Sequence, residues 1–165
     1  MKETQPFSIS RILKAPRALV FRVYSEVSHL ENWLSPAGFH SIHAVMDFRV
    51  GGTYHYGLEG PNGMQMWGMQ VFREIVLNEK IVLVQSFSDK DGGLTRHPMS
   101  ATWPLQMLAT TTFEDAGAGQ TKVTVSWLPM STDEVELTTF DQARAGMVHG
   151  FEGAFVKLEA YLATL

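Results

Sequence analysis

Arg144 is the residue of this 165-residue chain that most invites a chemical reading. On a helical wheel of about 100° per residue with Phe140 at zero, Met147, Phe151, Ala154, Phe155, Leu158 and Leu162 gather on one apolar face, and Arg144 falls inside it at about 40°. A cation on a buried face needs a partner. Its planar fork suits a ligand carboxylate, phenolate or carbonyl; the alternatives are a protein carboxylate or a side chain that snorkels out to water. Gly146, Gly150 and Gly153 border the same face. Each costs about 1 kcal/mol of helix propensity relative to Ala, so close approach of a sheet, or room for a ligand, is expected to offset them.

A second group of residues could shape an apolar pocket: Trp33, Tyr54, Tyr56, Met64, Met66, Trp67, Met69, Trp103, Met107 and Trp127. Methionine fills irregular space, while Tyr and Trp bring one polar contact into apolar surroundings. Most of these belong in an ordinary core, and the rest would line a pocket. The candidate ligand-binding set is therefore Trp33, Tyr54, Tyr56, Trp67, Trp103, Arg144, Met147 and Phe151.

The six histidines point less clearly. His40 and His43 sit three apart on a predicted strand, which aims them at opposite faces, and no third ligand accompanies them, so no metal is expected. Asp89, Asp91 and Gly92 resemble the start of a calcium loop, but Ser100 stands where a bidentate Glu is required. His55 and His149 could each serve as a general acid or base, although His149 lies at about 180° on the wheel, away from the apolar face. No Gly-x-Ser-x-Gly elbow, phosphate-binding glycine loop or dinucleotide fingerprint is present, and no cofactor or catalytic residue is assigned.

The elements that must position these residues follow from periodicity. Residues 7–13 alternate as an opening strand, Pro16 starts a short helix, and Ser28 with Glu31 forms a capping-box pattern for a second one. Residues 39–50, 53–58, 64–75, 80–87, 105–113 and 121–128 read as further strands. Turns at Gly51 and Gly52, at 60–63, around Asn78 and at 114–120 join them. Between the fifth and sixth strands, 88–104 is a polar stretch of the length found in lids and in plain surface insertions. A second capping-box pattern, Ser131 with Glu134, precedes the helical segment. Unbroken from Val135 to Leu162 that helix would span roughly 42 Å. It must then cross the whole domain, and about seven antiparallel strands can bury its face by curling around it. The expected class is α+β, in a single domain over residues 1–165.

Several motifs resemble the START-like, or SRPBCC, helix-grip superfamily, and within it the branch named for the C-terminal domain of the heat-shock-protein-ninety ATPase activator homologues. They are Ala15 and Pro16 with Val20 and Phe21, then 30–33, the run 47–52 followed by Tyr54, and 60–63. Glu74 and Ile75, 79–81, and Gly150 and Phe151 with Leu158 and Leu162 complete the set. The chain departs from the pattern at Trp33 and Leu34, where the family often carries an aromatic pair, and at Phe151, where it often carries Trp. The resemblance implies a helix-grip fold with a cavity between helix and sheet.

Composition narrows the partners. Apolar residues make up 45% and charged residues 18%, with a net charge of -4 and no basic run able to neutralise phosphates, so nucleic acid is not expected. There is no cysteine, hence no disulfide or thiolate chemistry, and the first six residues are polar without an apolar stretch, so a cytoplasmic location is the expectation. Three functions fit: binding of a small apolar or aromatic molecule; a cyclase or hydrolase acting on a polyketide-like substrate; or an interaction protein that touches a chaperone or pairs as a homodimer through a strand edge. The enzyme would need His55, Glu59, Asp47 or Glu152 to point inward.

Overall fold

The computed structural model describes residues 4–165. β1 (Phe7–Leu13) leads into α1 (Arg17–Ser25) and the single turn of α2 (Val27–Leu30), followed by β2 (His40–Met46), β3 (Thr53–Glu59), β4 (Gln65–Val76) and β5 (Lys80–Ser88). The two-residue β6 (Leu94–Thr95), then β7 (Met107–Asp115), β8 (Thr121–Pro129), α3 (Glu134–Gln142) and α4 (Arg144–Leu162) complete the chain. The strands form one antiparallel sheet in the order β1-β8-β7-β5-β4-β3-β2, with β6 paired to β5. This is the α+β helix-grip architecture expected, with β6 added from inside the polar stretch 88–104.

The helix caps differ from their sequence patterns. Pro16, in extended conformation, stands before α1, where a missing N–H leaves no bond unmade. Ser28 lies inside α2, which starts after Glu26 with no side-chain cap. At α3 the cap is Asp133, whose carboxylate accepts from the N–H groups of Val135 and Glu136. Ser131 sits just outside, bonded to Asp133 N–H and to the Glu136 carboxylate. An ionised acceptor at the N-terminus makes the stronger bond and meets the helix dipole, so it wins the position.

The C-terminal helical segment is two pieces rather than one. At Ala143 (φ -86°, ψ -4°) the N–H is shared between the carbonyls of Thr139 and Phe140, a tightened turn that ends α3 before α4 begins. α4 alone spans roughly 28 Å. Its buried residues Phe155, Leu158 and Leu162 join the main core, where Leu13, Val20, Phe21, Val23, Trp33, Phe72, Phe113 and Val123 also lie. Burial of a side chain such as Leu158 contributes about 1.5–3 kcal/mol. Polar ties fix the outer turns: Arg11 pairs with Glu159 at 2.5 Å, His29 Nδ1 meets the Tyr161 hydroxyl at 2.6 Å, and Lys157 donates to the Ser35 carbonyl. A second, smaller cluster of Phe7, Met107 and Phe140 gathers Trp103, Trp127, Met147 and Phe151 around it.

The helix glycines do not admit the sheet. A Cβ added at Gly146, Gly150 or Gly153 would meet no atom within 4 Å, and all three are exposed. Gly150→Ala and Gly153→Ala should therefore each stabilise the protein by about 1 kcal/mol, the propensity difference with no steric cost to set against it. Urea denaturation checks this. An unchanged or lowered midpoint would show that those positions need glycine for a reason other than packing.

Candidate functional site

Strand register determines which side chains meet beneath the helices. Tyr54, buried in the core, lies on the inner face, so its successive cross-strand partners Met46, Gln70, Gln85 and Met107 lie there too. The neighbouring inner row runs Ala44, Tyr56, Gly68, Phe87 and Thr95. Gly68 is the key to this row. A Cβ there would fall 2.2 Å from Cζ of Tyr56, so the absent side chain is what lets the phenol ring lie across β4. Burial raises the pKa of the Tyr54 and Tyr56 phenols, and both stay neutral.

Above the rows, beside the junction where α3 ends and α4 begins, lies a hollow of about 520 Å³. Its floor includes Tyr56, Gln70, Gln85 and Phe87, its roof Ala143, Gly146 and Met147, and its far wall His97, Trp103 and Leu105, with Met107 and Trp127 between. The stretch 88–104 forms that wall and is held at both ends. Thr95 and Leu94 pair with β5, and the Asp89 carboxylate accepts from Gly93 and Asp91 N–H, which holds it below the usual carboxylate range. Arg96 bridges the Glu136 carboxylate of α3 and the Trp103 carbonyl, and the Thr139 hydroxyl bonds that of Thr102 at 2.8 Å.

His97 is the titratable imidazole of the hollow. Its Nδ1 accepts from Met99 N–H at 3.0 Å, which leaves the neutral ring's proton on Nε2. Desolvation lowers its pKa and favours that neutral form. Phe87 lies against it at 4.6 Å between ring centroids, and Trp103 at 6.2 Å.

The candidate residues divide. Tyr56, Trp103 and Met147 line the hollow. Trp67 borders it, while its indole lies over its cross-strand partner Gly57 on the outer face, stacked on His55 at 5.4 Å. Tyr54 lies in the main core against Tyr56, and Phe151 packs between Phe7 and Trp127. Trp33 is core as well, its indole N–H donating to the Val23 carbonyl at 2.9 Å.

Arg144 lies outside the hollow. It pairs with Asp141 at 3.0 Å, donates to the carbonyls of Gln5 and Pro6, and stacks over Phe140 at 5.1 Å. Of the partners considered for it, the structure supplies a protein carboxylate, Asp141 one helical turn earlier, and two backbone carbonyls near the chain start. His40 and His43 also depart from expectation. A bulge between Ser41 and His43 puts both on the outer face, opposite Glu59 and Gly57. His43 there contacts His55 at 4.8 Å. Among the described residues no group of three or more His, Cys, Asp or Glu could hold a metal ion, and no helix is long and apolar enough to cross a membrane. Gln70, Gln85, Phe87 and His97 were not singled out by sequence. Period-two alternation marks their strands, but only register brings them together.

The sequence signature agrees with this geometry. A family model described as Activator of Hsp90 ATPase homolog 1-like protein matches residues 14–163. The chain belongs to this family. Members of its helix-grip fold recur among solved structures: one from Arthrobacter aurescens at 24% identity (TM-score 0.78, 97% of this chain and 87% of that one) and one from Rhodobacter sphaeroides at 17% (0.78, 97% and 93%). A third, from Mycobacterium smegmatis, is 21% identical (0.75, 96% and 91%). At these identities the likeness is one of fold. Among curated proteins no sequence matches. Within the Activator of Hsp90 ATPase homolog 1-like fold, then, the chemistry of this chain has to be read from its own hollow.

Proposed function

We propose that the protein binds a small, largely apolar molecule with an aromatic ring in the hollow between the sheet and the α3–α4 junction, with Tyr56, Trp103 and Met147 among its contacts. The observation that supports this is a concave space of about 520 Å³ bounded mainly by aromatic, Met and Leu side chains, within the range typical of small-molecule sites. An aromatic guest would stack on Trp103 and Tyr56, while Met147 adapts to its outline. This reading is preferred to acid–base catalysis by the residues first considered for it, since none of His55, Glu59, Asp47 or Glu152 is among the lining residues. His97, with its proton on Nε2, is the group through which a cyclase or hydrolase of polyketide-like substrates would have to work.

Titration with N-phenyl-1-naphthylamine, a neutral fluorescent aromatic, tests the proposal. Saturable binding of one probe per chain is expected, with thermal stabilisation approaching the ~2.7 kcal/mol that a hundredfold excess over Kd gives. Met147→Trp, which fills the roof, should abolish it. Linear, non-saturating fluorescence, unaffected by that substitution, would reject the hollow as a binding site and favour the interaction reading that the family's name suggests.

A further inference from the structure

The lining of the hollow contains no Asp, Glu, Lys or Arg. Its polar content is concentrated instead in two primary amides, Gln70 and Gln85, which are direct cross-strand partners on the inner face. Among the described residues neither amide, nor the Tyr56 hydroxyl, forms a hydrogen bond within the protein. Both side chains are only half-buried and neither is a buried polar group left without a partner, so solvent in the hollow reaches them, and a bound molecule with matching groups would take the place of that water.

We infer that the molecule held in the hollow is uncharged at neutral pH and carries an adjacent donor and acceptor, as a carboxamide or lactam does, which Gln70 and Gln85 bond. This rests on the ligand-binding reading above. An amide side chain offers a carbonyl oxygen and an NH₂ group, so its natural complement offers N–H and C=O together. A carboxylate fits poorly. It accepts only, so it can take the two Gln NH₂ groups but leaves both Gln carbonyl oxygens without a donor, and no Lys or Arg lines the hollow to neutralise its charge. An ammonium fits poorly for the converse reason, having no carboxylate to meet, although the aromatic walls give it some attraction. His97 also lines the hollow, and its desolvated ring favours the neutral form, so it adds no charge.

A matched series separates these cases: 2-naphthamide, 2-naphthoate, 2-naphthylmethylammonium and 2-ethylnaphthalene, titrated calorimetrically at pH 7.5. The wild-type chain is expected to bind the amide on the order of tenfold tighter than the hydrocarbon, as two net hydrogen bonds provide, and to bind both ions more weakly than either. In Gln70→Leu/Gln85→Leu the amide and the hydrocarbon should bind within about twofold of each other. If that double variant melts before it can be titrated, each single Leu variant should lose about threefold of the amide preference. Tighter binding of either ion than of the amide, or an amide preference that survives both substitutions, overturns the inference and leaves the binding reading intact. Failure of all four compounds to bind overturns both.

Discussion

Gly68→Ala should leave a folded protein that has lost most of its capacity for small molecules. The added methyl would lie 2.2 Å from Cζ and 2.3 Å from the hydroxyl of Tyr56, so the ring has to move. The open direction is upward, into the hollow that the phenol now floors. Overpacking of this kind costs about 1–3 kcal/mol, and a displaced phenol occupies space that a bound aromatic needs. We expect a modestly lowered urea midpoint together with at least tenfold weaker N-phenyl-1-naphthylamine binding. The control is Gly68→Ala/Tyr56→Ala, in which the clash is removed with the ring. Probe affinity should recover toward that of Tyr56→Ala alone, a coupling that two independent sites would not show. Undiminished binding by the single Gly68→Ala variant would mean that Tyr56 does not floor the site.

Trp33→Ala should have the opposite profile, a large loss of stability with little change in binding. Trp33 is 3% exposed, meets Tyr24 edge-on at 4.7 Å between centroids, and donates its indole N–H to the Val23 carbonyl. Truncation of a buried Trp costs about 3–5 kcal/mol, and part of that loss is the carbonyl left without its donor. A large fraction of the total stability of a domain is at stake, so the midpoint of urea unfolding should fall sharply. Molecules that remain folded should bind the probe within about twofold of wild type, because Trp33 is not among the lining residues. A loss of less than about 1 kcal/mol together with a tenfold drop in affinity would move Trp33 from the core to the site.

These two residues show where sequence reading stops. Both Trp33 and Tyr56 are aromatics near the start of the chain, and nothing in their spacing separates a core ring from a site ring. Gly68 carries no sequence signal at all, since a glycine inside a strand can mark a bulge, a bend or a close approach. Its meaning comes from Tyr56 standing opposite on β3. Arg144 was legible as a cation on an apolar face, but a helical wheel does not show that the carbonyls of Gln5 and Pro6, from the far end of the chain, lie within its reach. The helix glycines were legible as costly, and only the absence of any neighbour around them excludes a close-packed sheet.

Local chemistry is written in the chain itself. Period-two alternation, Pro16, the turn residues and the apolar stripe that ends at Leu162 determine the strands, the short helices and the need for a curved sheet to cover a long helix, and the family motifs agree with them. Those patterns depend on neighbours a few residues apart, which the sequence displays directly. The hollow does not. Gln70 and Gln85 become partners only through the β4–β5 register, and His97 joins them only because 88–104 is tied to β5 and α3. A shift of one residue in that register would put the two amides on opposite faces of the sheet, so the site depends on pairings between distant segments that only the assembled tertiary structure decides.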